Sequence, residues 1–483
     1  MTPNELEQRL RNLRGLFPGV DLTPNTFLQV VKPTEELLLP YQRLFQDAGL
    51  KLVLARVFFF PRIVTNVFKS VGVTLIRSGE SKSWRKHQVE PKGTLIISHF
   101  THAQQSEMAD AFFGDLLNRK VHNVFYLNST RIKHQKLVEF YPKIERENLV
   151  FMTKSLPLLR VLSVHLNYLF ISLVLFRKSF YCDNDVIDKW LLVEAAVHQH
   201  SRATLANKFF EIRLKEIIEA TRPSRVSLTF EGHAHEAVVI QLIHKSFPWI
   251  DLVPYQHAPV VPEQFGILRN LKLLNAKDEI LTSGEVTKEY FSAFRKDIAI
   301  VNAGSSKFKA PSDSFYVGEI IKVIGASEGT IQSLEVFIKL FMFLKKQHPT
   351  IEFKLRVHPA INESELKKSL NRLGAEETLI SRKTLLQDLA SSTYCIYRSS
   401  AVAIEGLALG VTPLYFDQSR SQGLNPLFFA NLHLPVFGTA EELASFFDDI
   451  SQLNPVDHGI NRLELQRISN RYFSQIPTGV KLI

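Results

Sequence analysis

The sequence predicts an α/β protein with two Rossmann-like domains that face each other across a crevice. Short apolar runs of strand length alternate with helical stretches along most of the chain, as in parallel sheets. The chain has 483 residues, of which 45% are hydrophobic, which is enough for two domains with separate cores. A polar stretch at residues 307–318 interrupts the alternation and is interpreted as an interdomain linker.

The predicted organisation has four parts. Residues 1–90 are interpreted as a helical, basic region that associates with a membrane. A first α/β domain covers residues 91–310, with a helical insertion at about 145–220, and a second α/β domain covers residues 319–450. Residues 451–483 form a helical tail.

The net charge of +10 is compatible with an anionic membrane, a phosphorylated substrate or nucleic acid, and we do not expect nucleic acid. Residues 52–77 and 161–176 mix apolar with basic side chains and predict docking on an anionic membrane surface. The second stretch is shorter than the roughly 18 residues that a spanning helix needs. The alternative is that both stretches are core helices.

The chain begins with charged residues where an export signal would have its apolar segment. Its two cysteines, Cys182 and Cys395, suggest neither a disulfide framework nor a zinc site. We therefore expect a cytoplasmic protein that is peripheral on the inner face of the plasma membrane.

A β-α-β pattern in the second domain places polar residues at strand ends. Ser399 and Ser400 lie between a strand at 394–397 and a helix at 401–409, where a helix N-terminus favours phosphate. The alternative is that one serine only caps the helix. His358-Pro359 follows a strand at 352–357, and the loop that begins at Gly325 is either a phosphate cradle or a tight turn.

A second group follows two strands of the first domain. Glu231 and Gly232 come after a strand that begins at Val226, and the glycine permits close approach of a substrate. A carboxylate in a cleft can have a raised pKa and accept a proton from a hydroxyl. Three histidines and one further acid lie at the same edge, and the alternative is that they bind a metal ion. These residues are His233, His235, His257 and Glu236.

Two weaker patterns have ordinary structural explanations. His99, His102 and Gln104 lie at the end of a strand predicted at 94–100 and are candidate acceptor-site residues or hydrogen-bonded structural residues. Asp183 and Asp185 form a D-x-D triplet that we interpret as a helix cap instead of a metal ligand. The chain has no phosphate-binding loop or dinucleotide fingerprint that would favour ATP hydrolysis or nicotinamide chemistry.

These motifs resemble those of a known family. The order Glu231-Gly232, His358-Pro359, Ser399-Ser400 is similar to the D/E-D/E-G, HP and paired-serine motifs of bacterial CMP-sugar transferases of the sialyl and Kdo type, which have the GT-B fold. The order Glu-Gly-x-x-x-Glu followed by Tyr-Gln-His resembles surface-carbohydrate biosynthesis proteins. Phe230 departs from the pattern, because it stands where the first acid belongs.

The resemblance implies a role for each matching residue. Glu231 would be the general base on the acceptor hydroxyl, and His358 would be catalytic as a partner of the donor phosphate. Ser399 and Ser400 would donate hydrogen bonds to that phosphate, and Glu405 would hold the ribose. The remaining predicted substrate-binding residues are Gly232, His257, Pro359 and Gly325.

The expected function is a metal-independent inverting glycosyltransferase of surface polysaccharide or lipopolysaccharide biosynthesis. Its donor would be a CMP-activated acidic sugar such as Kdo or a nonulosonic acid, with no other cofactor. Its acceptor would be a cell-surface glycan or a lipid-linked glycan. The alternatives are a GT-B sugar-nucleotide epimerase, a polyol-phosphate transferase, or a non-catalytic glycan-assembly protein.

Overall fold

The chain contains two parallel β-sheets. A computed structural model describes residues 3–18, 20–29, 48–78, 93–99, 112–114, 123–127, 149–151, 156–181, 185–308, 321–430, 432, 434–451 and 462–477. All strand pairs in these residues are parallel. Parallel strands need crossover connections, and helices that cover both faces of the sheet normally supply them.

The first sheet has seven strands in the order β3-β2-β1-β4-β5-β6-β7. Strands β1, β4 and β5 are therefore neighbours at its centre, where nearly every side chain is buried. Its strands are β1 (Thr94–His99), β2 (Asn123–Leu127), β3 (Leu149–Phe151), β4 (Arg225–Thr229), β5 (Asp251–Gln256), β6 (Glu279–Thr282) and β7 (Ala299–Asn302).

The second sheet has five strands in the order β12-β11-β10-β8-β9. The carboxyl ends of β8, β9 and β10 therefore lie side by side at one edge. Its strands are β8 (Lys322–Ala326), β9 (Glu352–Arg356), β10 (Tyr394–Tyr397), β11 (Thr412–Phe416) and β12 (Val436–Phe437).

Helices connect the strands, and those of the amino-terminal side also pack on one another. In chain order they are α1 (Pro3–Gly15), α2 (Ala48–Val57), α3 (Phe59–Ser78), α4 (Leu158–Tyr181), α5 (Val186–His198), α6 (Arg202–Thr221), α7 (Ala234–Ser246), α8 (Phe265–Leu271), α9 (Glu285–Phe294), α10 (Ile331–Gln347), α11 (Glu363–Leu373), α12 (Leu385–Ala390), α13 (Val402–Leu407), α14 (Ala440–Ser451) and α15 (Arg462–Tyr472). Short 3-10 helices occupy Glu377–Leu379 and Phe428–Ala430. Helices α1 to α5 share one apolar core with the start of α6.

The carboxyl edge of the first sheet contacts the part of the chain that contains the second sheet. The backbone N–H of Glu263 donates to the carbonyl of Gly423 over 3.0 Å. Lys307 lies 3.5 Å from the carboxylate of Glu405. After α15, Ser474 exchanges backbone hydrogen bonds with Ser283 and Ser305, so the end of the chain returns to the first sheet.

The predicted fold class is confirmed by these two parallel α/β sheets. Helices α4, α5 and α6 lie within the helical insertion predicted at about 145–220, and Gly410, which follows the helix predicted at 401–409, has φ +71°. Residues 309–320 lie between the last strand of one sheet and the first strand of the other. Most of the predicted linker therefore falls outside the described residues.

The predicted loop at Gly325 is wrong, because this residue lies inside strand β8. A Cβ at this position would come within 2.4 Å of the ring of Phe341 in α10. The missing side chain therefore makes room for a core aromatic ring instead of a phosphate. Gly325 therefore lies outside the candidate site.

Replacing Gly325 with alanine should test this packing explanation. We expect Gly325→Ala to lower the free energy of unfolding by about 1–3 kcal/mol through overpacking. Gly49→Ala in α2 is the matched control, since a Cβ there meets nothing within 4 Å. Urea denaturation measures both, and equal stability of the two variants would show that Phe341 does not require the glycine.

Candidate active site

The candidate active site lies at the carboxyl edge of β1, β4 and β5. His99 is the last residue of β1, and Glu231 follows β4 after one further residue, Phe230. His257 directly follows β5. Because β4 lies between β1 and β5, these three residues meet at the centre of the sheet. Ligands of open parallel sheets bind at this kind of edge.

The turn that carries Glu231 has a constrained backbone. Gly232 has φ +94°, a left-handed conformation that favours glycine. A Cβ on Gly232 would lie 2.2 Å from the backbone nitrogen of Ile267, so the turn packs directly on α8. The side-chain amide of Gln264 donates to the Glu231 carbonyl over 2.8 Å, which fixes the turn from the same side.

The buried carboxylate of Glu236 binds the backbone of this turn. It accepts the backbone N–H groups of Glu231, Gly232 and His233 at 2.8, 2.7 and 2.9 Å. The side chain of Asn270 adds a further donor at 3.1 Å. Burial raises the pKa of Glu236 to about 7, against the opposing effects of His233 and the backbone donors.

The Glu231 carboxylate contacts two histidines. Its Oε1 lies 2.7 Å from Nε2 of His257, and its Oε2 lies 3.5 Å from Nε2 of His233. The Glu231 side chain is 27% exposed and that of His257 only 8%, so Glu231 is the more accessible of the pair. Nδ1 of His257 is buried and has no hydrogen-bond partner among the described residues.

The pKa of Glu231 shifts in the direction opposite to the sequence-based expectation. Burial alone would raise it, but the charge of His257 and the hydrogen bonds from His233 and His257 outweigh burial. The pKa of Glu231 is therefore held well below its ordinary value of 4.5. The carboxylate is ionised at neutral pH because of its partners.

Two further histidines, His99 and His235, lie beside this pair. The ring centroids of His99 and His235 are 5.1 Å apart, and the His235 ring stacks on that of His233 at 5.4 Å. Burial, assisted by the charge of His233, lowers the pKa of His99 to about 4. Burial, the largest cause, holds the pKa of His235 well below 6.5. Both rings are uncharged at neutral pH.

The alternative metal site lacks the necessary geometry. In the part of the chain that the structure describes, no three His, Cys, Asp or Glu side chains are arranged to hold a metal ion. Glu236 is occupied by backbone N–H groups, and His235 stacks on His233 instead of converging with it. The four candidate ligands therefore serve the turn and its histidine cluster.

Phe230 explains the departure from the acid-acid-glycine pattern. Its side chain is fully buried and packs edge to face on Phe291, with ring centroids 6.0 Å apart. An acid at this position would be buried in the apolar core of the first sheet. The chain keeps only the acid that reaches the edge, Glu231.

The second predicted cluster lies at the carboxyl edge of β8, β9 and β10. His358-Pro359 follows β9 and is exposed, and Nδ1 of His358 accepts the N–H of Ala360 over 3.1 Å. A Cβ on Gly329 would lie 3.1 Å from Nδ1 of His358, so the loop after β8 adjoins His358. Arg398 binds Glu328 through two hydrogen bonds of 2.6 and 2.9 Å. Three strand-end loops are thus held together.

The two serines differ in their contacts. Ser400 Oγ accepts the N–H of Val402, the first residue of α13, over 3.3 Å, although the N-cap residue of this helix is Ala401. Ser399 Oγ makes no hydrogen bond among the described residues and is half-buried. Glu405, on α13, lies 3.5 Å from Lys307 at the end of the first sheet.

The remaining sequence candidates have structural roles or lie outside the described residues. Asp185 caps α5 through the N–H of Asp188 at 2.9 Å and also binds Arg9, in agreement with its interpretation as a cap. Arg356 pairs with Asp388, and Arg398 with Glu328. His102, Gln104 and Asp183 lie outside the described residues.

Three site residues did not emerge from the sequence as members of this arrangement: Glu236 as the acceptor of the turn, Gln264 and Asn270. For Glu236 a signal was present, since an acid three residues into a helix commonly binds the N–H groups of the preceding turn. No pattern points to Gln264 or Asn270, because their contacts depend on how α8 packs against the turn.

No family model matches the chain, and no curated protein matches it in sequence. Several solved structures are similar in fold. A putative UDP-N-acetylglucosamine 2-epimerase of Listeria monocytogenes is 11% identical, with 79% of this chain and 92% of that chain covered and a TM-score of 0.44. The MnaA–UDP co-structure of S. aureus is 9% identical, with coverage of 79% and 92% and a TM-score of 0.45.

A glycosyltransferase of Rickettsia africae is 12% identical, with 79% of this chain and 94% of that chain covered and a TM-score of 0.42. These similarities are too distant to assign an activity to this chain. Function is therefore inferred from the geometry of the site itself.

Removing the Glu236 carboxylate should destabilise the turn that carries Glu231. We expect Glu236→Ala to lower the free energy of unfolding by about 1–3 kcal/mol for each buried N–H that loses its acceptor. The control is Glu365→Ala, because Glu365 accepts the N–H of Asn362 in the same way on an exposed helix. Urea denaturation should show less than about 1 kcal/mol for the control. Equal losses would mean that Glu236 is an ordinary cap.

Proposed function

We propose that the chain is an inverting glycosyltransferase with two domains in the GT-B arrangement that uses a nucleotide-sugar donor. The observation that carries the proposal is the Glu231–His257 pair, with 2.7 Å between carboxylate and imidazole at the carboxyl edge of a parallel sheet. A partly exposed, ionised carboxylate with a buried partner is a suitable arrangement for accepting a proton in a cleft.

In the proposed reaction the acceptor oxygen forms a bond to the anomeric carbon of the donor sugar. The bond between that carbon and the donor phosphate breaks, and the nucleotide leaves with the electron pair. The acceptor proton passes to Glu231. His257 is a positioning residue in this scheme, since its Nε2 fixes the carboxylate at Oε1 and leaves Oε2 toward the half-exposed His233.

The lowered pKa of Glu231 has two consequences for this role. The carboxylate is present as a base throughout the neutral range. It is also a weaker proton acceptor than an ordinary glutamate, so the transfer must occur as the oxygen attacks and its acidity rises. The uncharged rings of His99 and His235 line the site without adding positive charge that would lower the basicity further.

We place the donor phosphate at the edge formed by the loops after β8, β9 and β10. His358 and Ser399 would donate hydrogen bonds there, and such groups stabilise the charge of a leaving phosphate. Ser399 Oγ is available to bind a ligand, whereas Ser400 Oγ accepts the N–H of Val402. Glu405 would reach the ribose only after exchanging its contact with Lys307.

We also propose the donor, the acceptor and the cellular location. The donor is a CMP-activated acidic sugar, the acceptor is a glycan or glycolipid, and no metal participates. The location is cytoplasmic. Cys395 is a buried free thiol, as a reducing compartment would leave it.

Replacing the base should abolish transfer while sparing donor binding. We expect Glu231→Gln to lower kcat by about 10²–10⁴-fold, the usual contribution of a general base. Glu289→Gln, a change at an exposed carboxylate paired with Arg471, is the matched control and should retain activity. Product formation is measured with radiolabelled donor. Full activity of Glu231→Gln would show that another group takes the proton.

The donor nucleotide can be identified independently by thermal stabilisation. Among CMP, UDP, GDP and CDP, we expect CMP to raise the melting temperature most, in wild type and in Glu231→Gln alike, because a ligand that binds only the folded state stabilises it. A preference for UDP would contradict the CMP assignment and leave the proton-transfer proposal intact. Stabilisation without any turnover in the wild type would favour a binding protein.

A further inference from the structure

The helices α2, α3 and α4 present an unusual number of exposed apolar side chains. Among the described residues, sixteen of the twenty-four large hydrophobic side chains that are exposed lie on the segments 50–68 and 158–181, eight on each. Phe68 is 74% exposed, Leu166 69% and Phe170 66%. A soluble surface seldom groups apolar side chains in this way, and such grouping marks an interaction site.

These side chains form stripes along the helices. On α4 the exposed apolar residues follow each other at intervals of three or four, which keeps them on one side of the helix. The stripe consists of Leu159, Leu162, Leu166, Phe170 and Leu173. On α3 the same spacing relates Phe60, Val64 and Phe68. Each helix therefore has a second apolar side in addition to the one that it buries.

The two stripes belong to one surface. Phe176 of α4 stacks on Phe59 of α3 with ring centroids 3.9 Å apart, and Phe60 packs edge to face on the same ring. The ring centroids of Phe180 and Phe176 are 5.1 Å apart, and the guanidinium of Arg56 lies over the Phe180 ring. We call the exposed apolar side chains of α2, α3 and α4 the apolar face.

The buried side of α4 fixes how the helix can meet a partner. Val161, Val164, Tyr168, Ile171 and Leu175 are buried along its whole length. Ser172 Oγ also donates to the carbonyl of Ala196, and His165 lies 3.2 Å from His200. The 24-residue helix is long and apolar enough to cross a bilayer, but crossing would remove all of these contacts.

The charge of the apolar face indicates the partner. The segments 48–78 and 158–181 contain no aspartate or glutamate and eight basic residues, namely Lys51, Arg56, Lys69, Arg62, Arg77, Arg160, Arg177 and Lys178. Arg62 and Arg160 bind Glu194 and Glu216. Exposed Lys69 and Arg177 are close in sequence to the most exposed aromatic rings, Phe68 and Tyr181. Long basic side chains beside apolar ones suit an anionic lipid surface.

We propose that the apolar face docks in the plane of an anionic bilayer, with α4 lying along the membrane instead of crossing it. The apolar side chains enter the interfacial region, while the buried sides of α2, α3 and α4 remain in the core that they share with α1 and α5. Lys69 and Arg177 reach the lipid phosphates. This proposal is independent of the catalytic role of Glu231, because it concerns a surface and not the reaction.

Vesicle flotation with the full-length chain tests the proposal. The chain should float with vesicles that contain phosphatidylglycerol, bind pure phosphatidylcholine more weakly, and dissociate partly as salt is raised. The double variant Leu166→Glu/Phe170→Glu should partition at least about tenfold more weakly, since it places two charges where apolar area would be buried. Leu386→Glu is the matched control, being an exposed leucine on α12 that should not affect flotation.

Several outcomes would overturn the proposal. One is absence of flotation with either vesicle, and another is equal flotation of the double variant and Leu386→Glu. A wild-type oligomer that the double variant dissolves, without vesicle binding, would assign the apolar face to a second copy of the chain. Retention in cell membranes after an alkaline carbonate wash would show a spanning helix instead of in-plane docking. Circular dichroism confirms that the variants are folded.

Discussion

The buried carboxylate of Glu236 is the interaction on which the candidate site depends. Three consecutive backbone N–H groups of the turn after β4 donate to it, which leaves the turn little freedom. Gly232 completes the constraint, because only a residue without Cβ can adopt its conformation and lie so close to α8. A rigid support of this kind determines where the Glu231 carboxylate can lie, and catalysis requires such positioning.

The parallel sheets explain why the chemistry collects at two edges. All strands of a parallel sheet end on the same side, so residues far apart in sequence, such as His99, Glu231 and His257, meet without long loops. The segment at Glu263 and Gln264 links the two parts of the molecule, because one residue contacts Gly423 and the next holds Glu231. The turn that carries Glu231 is therefore connected through this segment to the part of the chain that contains the second sheet.

The sequence predicted the strand ends well, because alternating strands and helices mark where each strand stops. It predicted the positions of Glu231, His257, His358 and Ser399 for this reason. It failed for the pKa of Glu231, whose direction depends on a histidine from the neighbouring strand. It also failed for Gly325, where a shift of the strand boundary by a few residues changes a loop into a buried strand.

The apolar helices illustrate a different limit. Their composition left core helices and membrane docking as alternatives, and the structure shows that each helix has one buried and one exposed apolar side. Hydrophobic periodicity cannot distinguish the buried side from the exposed side of a helix when both sides are apolar.

The stereochemistry of the product tests the central claim most directly. Proton NMR of the wild-type reaction, with the donor whose nucleotide stabilises the chain most, should show a new glycoside of inverted anomeric configuration. A single displacement assisted by a base at Glu231 requires inversion, because the acceptor attacks opposite the leaving nucleotide. A glycoside of retained configuration, or an epimerised nucleotide sugar without a new glycosidic bond, would contradict it.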